Sequence, residues 1–172
     1  MTPCEPPEGA GALFFEARRL LLVLHAAGSV VLVGAATHHA WAMRRLLRGD
    51  ASRAALTATW ARIVAIAYAA TFALGAALYP AYCLHVRAFY LDRYAPGYAA
   101  LFDVKETYAA LTLMLALGLG AVGKGIARGA ALALPEGRAL VRIYAAMSFL
   151  VCAVVWFNVV AGLLVASVRG VG

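Results

Sequence analysis

Two histidines in long apolar stretches are the side chains of this chain best suited to hold a metal cofactor. His25 lies six residues after Arg19, and therefore about 9 Å deeper along a helix, while His85 lies two residues before Arg87. Neutral imidazole is a good iron ligand, and histidines on facing helices can hold a b-type haem between them. If those helices run antiparallel, both imidazoles lie near the same membrane face. The pattern predicts a haem site with His25 as one axial ligand and His85 as a candidate second.

Cationic side chains near these histidines are candidates to bind the propionates of such a haem. They are Arg18, Arg87 and Lys105. Lys105 stands at the start of a later apolar run, where a phosphate, a propionate or a carboxylate can meet it. Snorkelling of its ammonium to the interface is the alternative. His85, Asp103 and Glu106 together offer ligands for a transition metal, although their spacing does not enforce such a site.

Ordinary structural roles are the alternative for each histidine. His25 can hydrogen-bond Ser29 or a backbone carbonyl across a helix pair, and His38 and His39 can mark the interface beside Trp41. His39 follows His25 by fourteen residues, on nearly the same helix face and about 21 Å away along the axis. That spacing suits two stacked haems. Because no histidine in the later apolar runs can pair with His39, two haems within one chain are not expected.

Four stretches without Asp, Glu, Lys or Arg must position these side chains. A bilayer core about 30 Å thick takes roughly 20 helical residues to cross, and inside lipid only helices and closed barrels satisfy every backbone group. The stretches lack the alternation of barrel strands. They predict an all-α, polytopic membrane protein, a bundle of four transmembrane helices with spans at about 20–43, 63–86, 107–123 and 143–168. Residues 12–172 form its single domain, after a disordered leader at residues 1–11 that is rich in Pro, Gly and Glu.

The net charge of +7 is concentrated in two short segments, so it indicates topology and not a nucleic-acid-binding surface. The segment between spans one and two has a single acidic residue, Asp50, and five basic ones, Arg44, Arg45, Arg48, Arg53 and Arg62. The segment between spans three and four has Glu136 as its acidic residue and four basic ones, Lys124, Arg128, Arg138 and Arg142. An excess of Lys and Arg marks cytoplasmic loops. Both loops are therefore predicted in the cytoplasm, and both termini on the outer, periplasmic side of a bacterial inner membrane.

Local signals predict where the helices begin and end. Helix one is expected from near Ala12 to about Arg48, with Gly49-Asp50 after it and Ser52 as the cap of helix two. Helix two either ends near Pro80 or continues, kinked, to Tyr90, because proline removes one backbone donor.

Other polar and small residues have structural expectations of their own. Asp103 and Glu106 form a capping-box-like pattern at the start of helix three. Thr71 and Asn158 are expected to form hydrogen bonds between helices, and a Cys4–Cys83 disulfide is conceivable. Glycines are expected to let helices pack closely. They include Gly28, Gly34, Gly75, Gly118, Gly120, Gly123 and Gly125. For Gly120, Gly123 and Gly125 the alternative is that they loosen the end of helix three.

A few residues also suggest a family resemblance. They are Leu24-His25 early in span one, Gly34, Arg44-Arg45, an Arg62-led second span with Gly75, and Lys105 opening span three. This layout resembles a group of four-helix bacterial membrane proteins that includes the haem-containing membrane protoporphyrinogen oxidases and the copper-resistance membrane family. The resemblance implies a haem-associated or redox-associated fold with His25 as ligand and Lys105 as its neighbour.

The chain departs from the oxidase pattern at two positions. It has Leu32 where that pattern has a tryptophan and Asp103 where it has a histidine, and His85 is not part of the pattern.

The sequence is therefore compatible with three functions. The first is a membrane protein that binds b-type haem near its outer face and transfers electrons, with a quinone as a candidate partner. The second is a non-catalytic membrane subunit or assembly factor that packs against other membrane subunits or a second copy of itself. The third is a small-solute or ion transporter, which is disfavoured because no carboxylate lies deep in any span.

Overall fold

The computed structural model describes residues 14–127 and 135–169, and the regular structure in these ranges is helical throughout. Four long helices follow one another: α1 (Arg18–Leu47), α2 (Ala54–Tyr82), α3 (Pro96–Ala127) and α4 (Pro135–Val168). Each is long and apolar enough to cross a membrane, α2 together with the helical segment that continues it to Tyr94. The chain is therefore a multi-pass membrane protein. The predicted leader, Cys4 and most of the second basic loop lie outside the described residues.

The helices form an antiparallel bundle in which consecutive helices are neighbours and α4 closes against α1. Buried side chains form two clusters. The larger lies in the half nearer the α1–α2 connection and includes Met43, Val64, Leu119 and Tyr144; the smaller, at the opposite end, includes Val86, Leu91, Phe102 and Val165. Large apolar side chains cover the outward faces, among them Val30 at 73% exposure and Met114 at 68%. Such a surface is suited to lipid and not to water.

The connection between α1 and α2 differs in detail from its prediction. Gly49 turns the chain with a φ of +89°, a conformation that glycine adopts without steric cost. The Asp50 carboxylate accepts hydrogen bonds from the backbone N–H and the hydroxyl of Ser52, at 3.2 and 2.5 Å, and the hydroxyl bond is the main cause that lowers the pKa of Asp50. The prediction that Ser52 caps α2 is therefore wrong. It lies in a 3-10 turn, and α2 begins at Ala54 with no side-chain cap.

The second helix continues through Pro80, which is the longer of the two predicted alternatives. At Cys83 it widens into a π-helix that runs Cys83–Leu91, followed by a short helical turn at Asp92–Tyr94. Single π-helical segments inside helices are frequent at functional sites. Nothing in the sequence pattern predicts this widening.

The predicted capping box at the start of helix three is wrong. Because α3 begins at Pro96, Asp103 and Glu106 lie within the helix and not at its end. Asp103 instead pairs with Arg87 on the π-helix, and Glu106 pairs with Lys105.

Several glycines allow close helix packing, as predicted. A methyl group on Gly28 would lie 2.8 Å from the Thr71 hydroxyl oxygen, and one on Gly123 would lie 2.8 Å from the Tyr144 hydroxyl oxygen. Gly34 and Gly125 differ, because a methyl group there would meet no described atom within 4 Å. Close packing therefore depends on particular glycines and not on all of them.

Candidate cofactor site

His25 lies in the interface between α1 and α2, with one ring nitrogen committed. Its Nδ1 is 3.0 Å from the carbonyl oxygen of Thr71, and its ring rests against Gly75, where a methyl group would come within 3.1 Å of Cε1. A carbonyl only accepts hydrogen bonds, so Nδ1 carries the hydrogen and Nε2 of the neutral ring keeps its lone pair. The expected bond to a backbone carbonyl across a helix pair is thus present. The Ser29 hydroxyl donates a hydrogen bond to the backbone oxygen of His25, at 2.8 Å, and not to its ring.

Two buried oxygen atoms without hydrogen-bond partners belong to the same part of the bundle as His25. Tyr144 of α4 contacts His39 of α1, so these two residues lie at the same depth. His25 lies fourteen residues before His39, and Asn158 lies fourteen residues after Tyr144 on the antiparallel helix. His25 and Asn158 therefore both lie about 21 Å from the His39–Tyr144 contact along the bundle axis, on the same side of it. The Asn158 amide donates to a carbonyl of its own helix, at 3.0 Å, while its Oδ1 has no partner among the described residues. The Thr71 hydroxyl is also buried and unpartnered there. The predicted interhelical bonds of these two side chains are therefore not formed.

Lys105 and Glu106 form an ion pair on α3 close to this region. Their side chains are only 18% and 34% exposed, and the charges of both are within electrostatic reach of the His25 ring. The Lys105 ammonium also lies 5.3 Å from the centre of the Phe102 ring. The charge of Lys105 is already balanced by Glu106.

His85 lies at a different depth from His25. Its ring packs against Phe15, before the start of α1, with ring centres 4.3 Å apart and ring planes tilted by 34°. Along α2, Gly75 marks the depth of His25, and the seven residues from Gly75 to Tyr82 alone rise about 10 Å. Metal–imidazole bonds are about 2 Å long, so the structure does not bring the two histidines to one iron. The His85 Nε2 is buried and has no hydrogen-bond partner among the described residues.

The two candidate arginines lie with His85 and not with His25. Arg18 donates to the Phe15 carbonyl at 3.1 Å and packs over the Phe15 ring, and its charge is within electrostatic reach of His85. Arg87 makes a two-point ion pair with Asp103, at 2.7 and 2.8 Å, and a longer contact of 3.7 Å with Asp92. Arg87 is therefore engaged in binding the π-helix to α3.

A second polar site, at His39, was missed by sequence reasoning, which placed this histidine at the interface. His39 is 1% exposed, and both of its ring nitrogens are used: Nε2 lies 3.1 Å from the Tyr144 hydroxyl and Nδ1 lies 2.7 Å from the Ser148 hydroxyl. Tyr144 and Ser148 are themselves buried, four residues apart on one face of α4. That spacing was the available signal. His38, by contrast, stacks on Trp60 and bonds its own helix through the Gly34 carbonyl.

Comparison with family models, with curated proteins and with solved structures returned no match for this chain. Within residues 14–127 and 135–169, no group of three or more His, Cys, Asp or Glu side chains is placed to hold a metal ion. His85, Asp103 and Glu106 accordingly do not form the metal site that was considered from the sequence.

The residues around His25 fit one axial ligand of a haem. Histidines that bind metals commonly donate their other ring N–H to a carboxylate or a backbone carbonyl, which fixes the tautomer and the ring orientation. His25 has this arrangement with Thr71. His85 lies at a different depth, so it is not placed beside His25 at this position.

Proposed function

We propose that this membrane protein binds b-type haem through Nε2 of His25, in the half of the bundle opposite the α1–α2 connection, and that it takes part in electron transfer. The observation that carries the proposal is the bond from His25 Nδ1 to the Thr71 carbonyl, which leaves Nε2 as the metal-binding atom of the neutral ring. An ionisable group within a membrane span is a functional candidate by default.

Each neighbouring residue has a defined part in this proposal. Thr71 orients the imidazole through its carbonyl, and Gly75 leaves room for the ring. The unpartnered oxygens of Thr71 and Asn158 offer acceptors to a polar group bound at the same depth. Lys105 offers a positive charge to a propionate, in competition with Glu106. A bound haem supplies one-electron redox chemistry, with a potential that depends on its axial ligand and its surroundings.

The charge distribution supports an orientation for this function. Arg44, Arg45, Arg48 and Arg53 lie at the end of the bundle that holds the α1–α2 connection. By the positive-inside rule this end faces the cytoplasm of a bacterial inner membrane, and the His25 half faces outward. Both termini then lie on the outer side. A membrane quinone is the electron partner that we expect for a haem at this depth.

The test is an optical spectrum of the detergent-purified protein, oxidised and then dithionite-reduced, after expression with ample haem. We expect a sharp reduced band that is lost in His25→Ala. His38→Ala is the matched control, because His38 lies on the same helix, thirteen residues from His25, and its ring contacts Trp60 and the Gly34 carbonyl instead of the His25 site. It should keep the band. His85→Ala should also keep it, since His85 lies at another depth.

A colourless wild-type protein would overturn the proposal. The chain would then be better understood as a non-catalytic membrane subunit, whose close glycine contacts serve packing against partners, and the proteins that co-purify with it would be the next object of study. Equal loss of the band in His25→Ala and His38→Ala would likewise contradict a site built on His25.

A further inference from the structure

A groove lined by arginines lies between the end of α1 and the start of α4. Its volume is about 530 Å³, within the range of about 300–1,000 Å³ that is usual for small-molecule clefts. The described residues that line it are Leu46, Leu47, Arg48, Gly49, Gly137, Arg138, Val141 and Arg142. Three of them are cationic and none is acidic. Its lining combines apolar residues with three cationic ones, which distinguishes this groove from an ordinary charged surface.

The arginines of the groove have no ion-pair partners among the described residues. The ion pairs among the described residues involve Arg87 and Lys105, which both lie at the other end of the bundle. Asp50 is the nearest carboxylate in sequence to Arg48, and it is bound by Ser52 and faces Arg45 and Arg53 instead. Three positive charges therefore converge on one groove with no described counter-charge.

The depth of the groove matches the headgroup layer of a bilayer. Arg142 directly precedes the charge-free stretch of α4, and Arg48 follows that of α1 by five residues, counted from Met43. Buried Leu46 and Val141 form the side of the groove that faces the bundle core. A ligand that fits this arrangement has an anionic headgroup and an apolar tail.

A smaller groove on the opposite side of the same end repeats this chemistry. It lies between α2 and α3, has a volume of about 460 Å³, and is lined by Arg62 and Lys124 with Ala55, Ala58, Thr59 and Ala127. Arg62 and Lys124 also have no ion-pair partner among the described residues. Both of these helix seams therefore present cations at the same end of the bundle.

We propose that the groove between α1 and α4 binds the phosphate of an anionic phospholipid, held by Arg48 on one side and by Arg138 and Arg142 on the other. Arginine donates two parallel hydrogen bonds to phosphate oxygens, and basic pockets between transmembrane helices on the cytoplasmic side bind anionic headgroups. The lipid would join the first and the last helix of the bundle at the α1–α4 seam. This inference does not depend on the proposed haem.

Native mass spectrometry of the purified protein tests this proposal, with phosphatidylglycerol and phosphatidylcholine of identical acyl chains added at equal concentration. We expect the wild type to retain phosphatidylglycerol preferentially. Arg48→Gln/Arg142→Gln removes one arginine from each side and should reduce that preference about tenfold or more, since each cation near an anionic surface contributes substantially. Arg48→Lys/Arg142→Lys keeps the charges and should restore most of it.

Arg44→Gln/Arg45→Gln is the matched control. It removes the same number of positive charges from the same end of the bundle, but neither residue lines the groove. It should keep the preference of the wild type. Equal retention of both lipids by the wild type would overturn the proposal, and so would an equal loss in the two Gln pairs, which would indicate attraction to the general surface charge. Circular dichroism on each variant establishes that the helices are intact.

Discussion

His25 and His39 stand on the same helix, fourteen residues apart, in opposite surroundings. His25 is partly buried, has one nitrogen bonded to a backbone carbonyl, and has two unpartnered oxygens and an ion pair in its part of the bundle. His39 is almost completely buried and has both nitrogens bonded to side-chain hydroxyls. The identity of the residue and its helix are the same, so the difference arises from what α2 and α4 place opposite each ring.

The comparison shows why burial alone does not mark a functional histidine. A ring with both nitrogens in hydrogen bonds has no lone pair left for a metal, and its role is to join helices. A ring with one N–H donated to a carbonyl has a defined tautomer and an available nitrogen, which is the arrangement of metal-binding histidines. The more deeply buried histidine of α1 is therefore the structural one, and the less buried one is the candidate ligand.

The largest expected difference between the two sites is in stability. In haem-free protein, His39→Ala should lower the free energy of unfolding by about 2–4 kcal/mol, because it leaves a cavity and two buried hydroxyls without their partner. His25→Ala should cost only about 1 kcal/mol, since it removes one hydrogen bond from a partly exposed ring. Unfolding by sodium dodecyl sulfate in mixed micelles, followed by circular dichroism, measures both. A larger loss of unfolding free energy in His25→Ala than in His39→Ala would contradict the assignment of His39 as the structural histidine.

The membrane spans were predictable because the bilayer fixes their length and excludes charge, so charge-free stretches reveal them directly. The partner of His25 was predictable as a type, a backbone carbonyl on another helix, but not as Thr71. The four-residue spacing of Tyr144 and Ser148 is visible in the sequence, but their pairing with His39 was not predictable, because these partners are 105 and 109 residues away and depend on how α1 and α4 are rotated against each other. The start of α3 was placed too late because Asp103 and Glu106 have the composition of a cap, whereas the structure uses them in ion pairs.

A smaller effect is expected from crowding the His25 ring. Gly75→Ala would place a methyl group 3.1 Å from Cε1, so the ring must shift by a few tenths of an ångström relative to the Thr71 carbonyl. Changes to groups that orient a metal ligand commonly weaken metal affinity about 10-fold to 100-fold, and we expect the lower value here. Haem titration of the haem-free protein, followed by absorbance, measures this affinity.

Gly34→Ala is the control for that substitution. Gly34 also lies within a membrane helix, but a methyl group there meets no described atom within 4 Å. Haem affinity should be unchanged, and the free energy of unfolding should rise slightly because alanine is the better helix former by about 1 kcal/mol. If Gly34→Ala weakened haem binding as much as Gly75→Ala does, the loss of affinity would result from replacing a glycine in a membrane helix and not from contact of the new methyl group with His25.

The smallest expected effect is the coupling between His39 and Ser148, which a double-mutant cycle isolates. The single and double alanine variants should show a coupling energy between about 0.6 kcal/mol, the average for hydrogen bonds between membrane helices, and about 1.7 kcal/mol, the largest value found for them. His25 and Ser29 provide the matched cycle on the same helix. Ser29 donates to the backbone oxygen of His25 and not to its ring, so its coupling to the His25 side chain should be close to zero. Equal coupling in the two cycles would mean that the ring of His39 gains no more from its side-chain partner than the ring of His25 does, and the distinction between the two sites would then depend on cofactor binding alone.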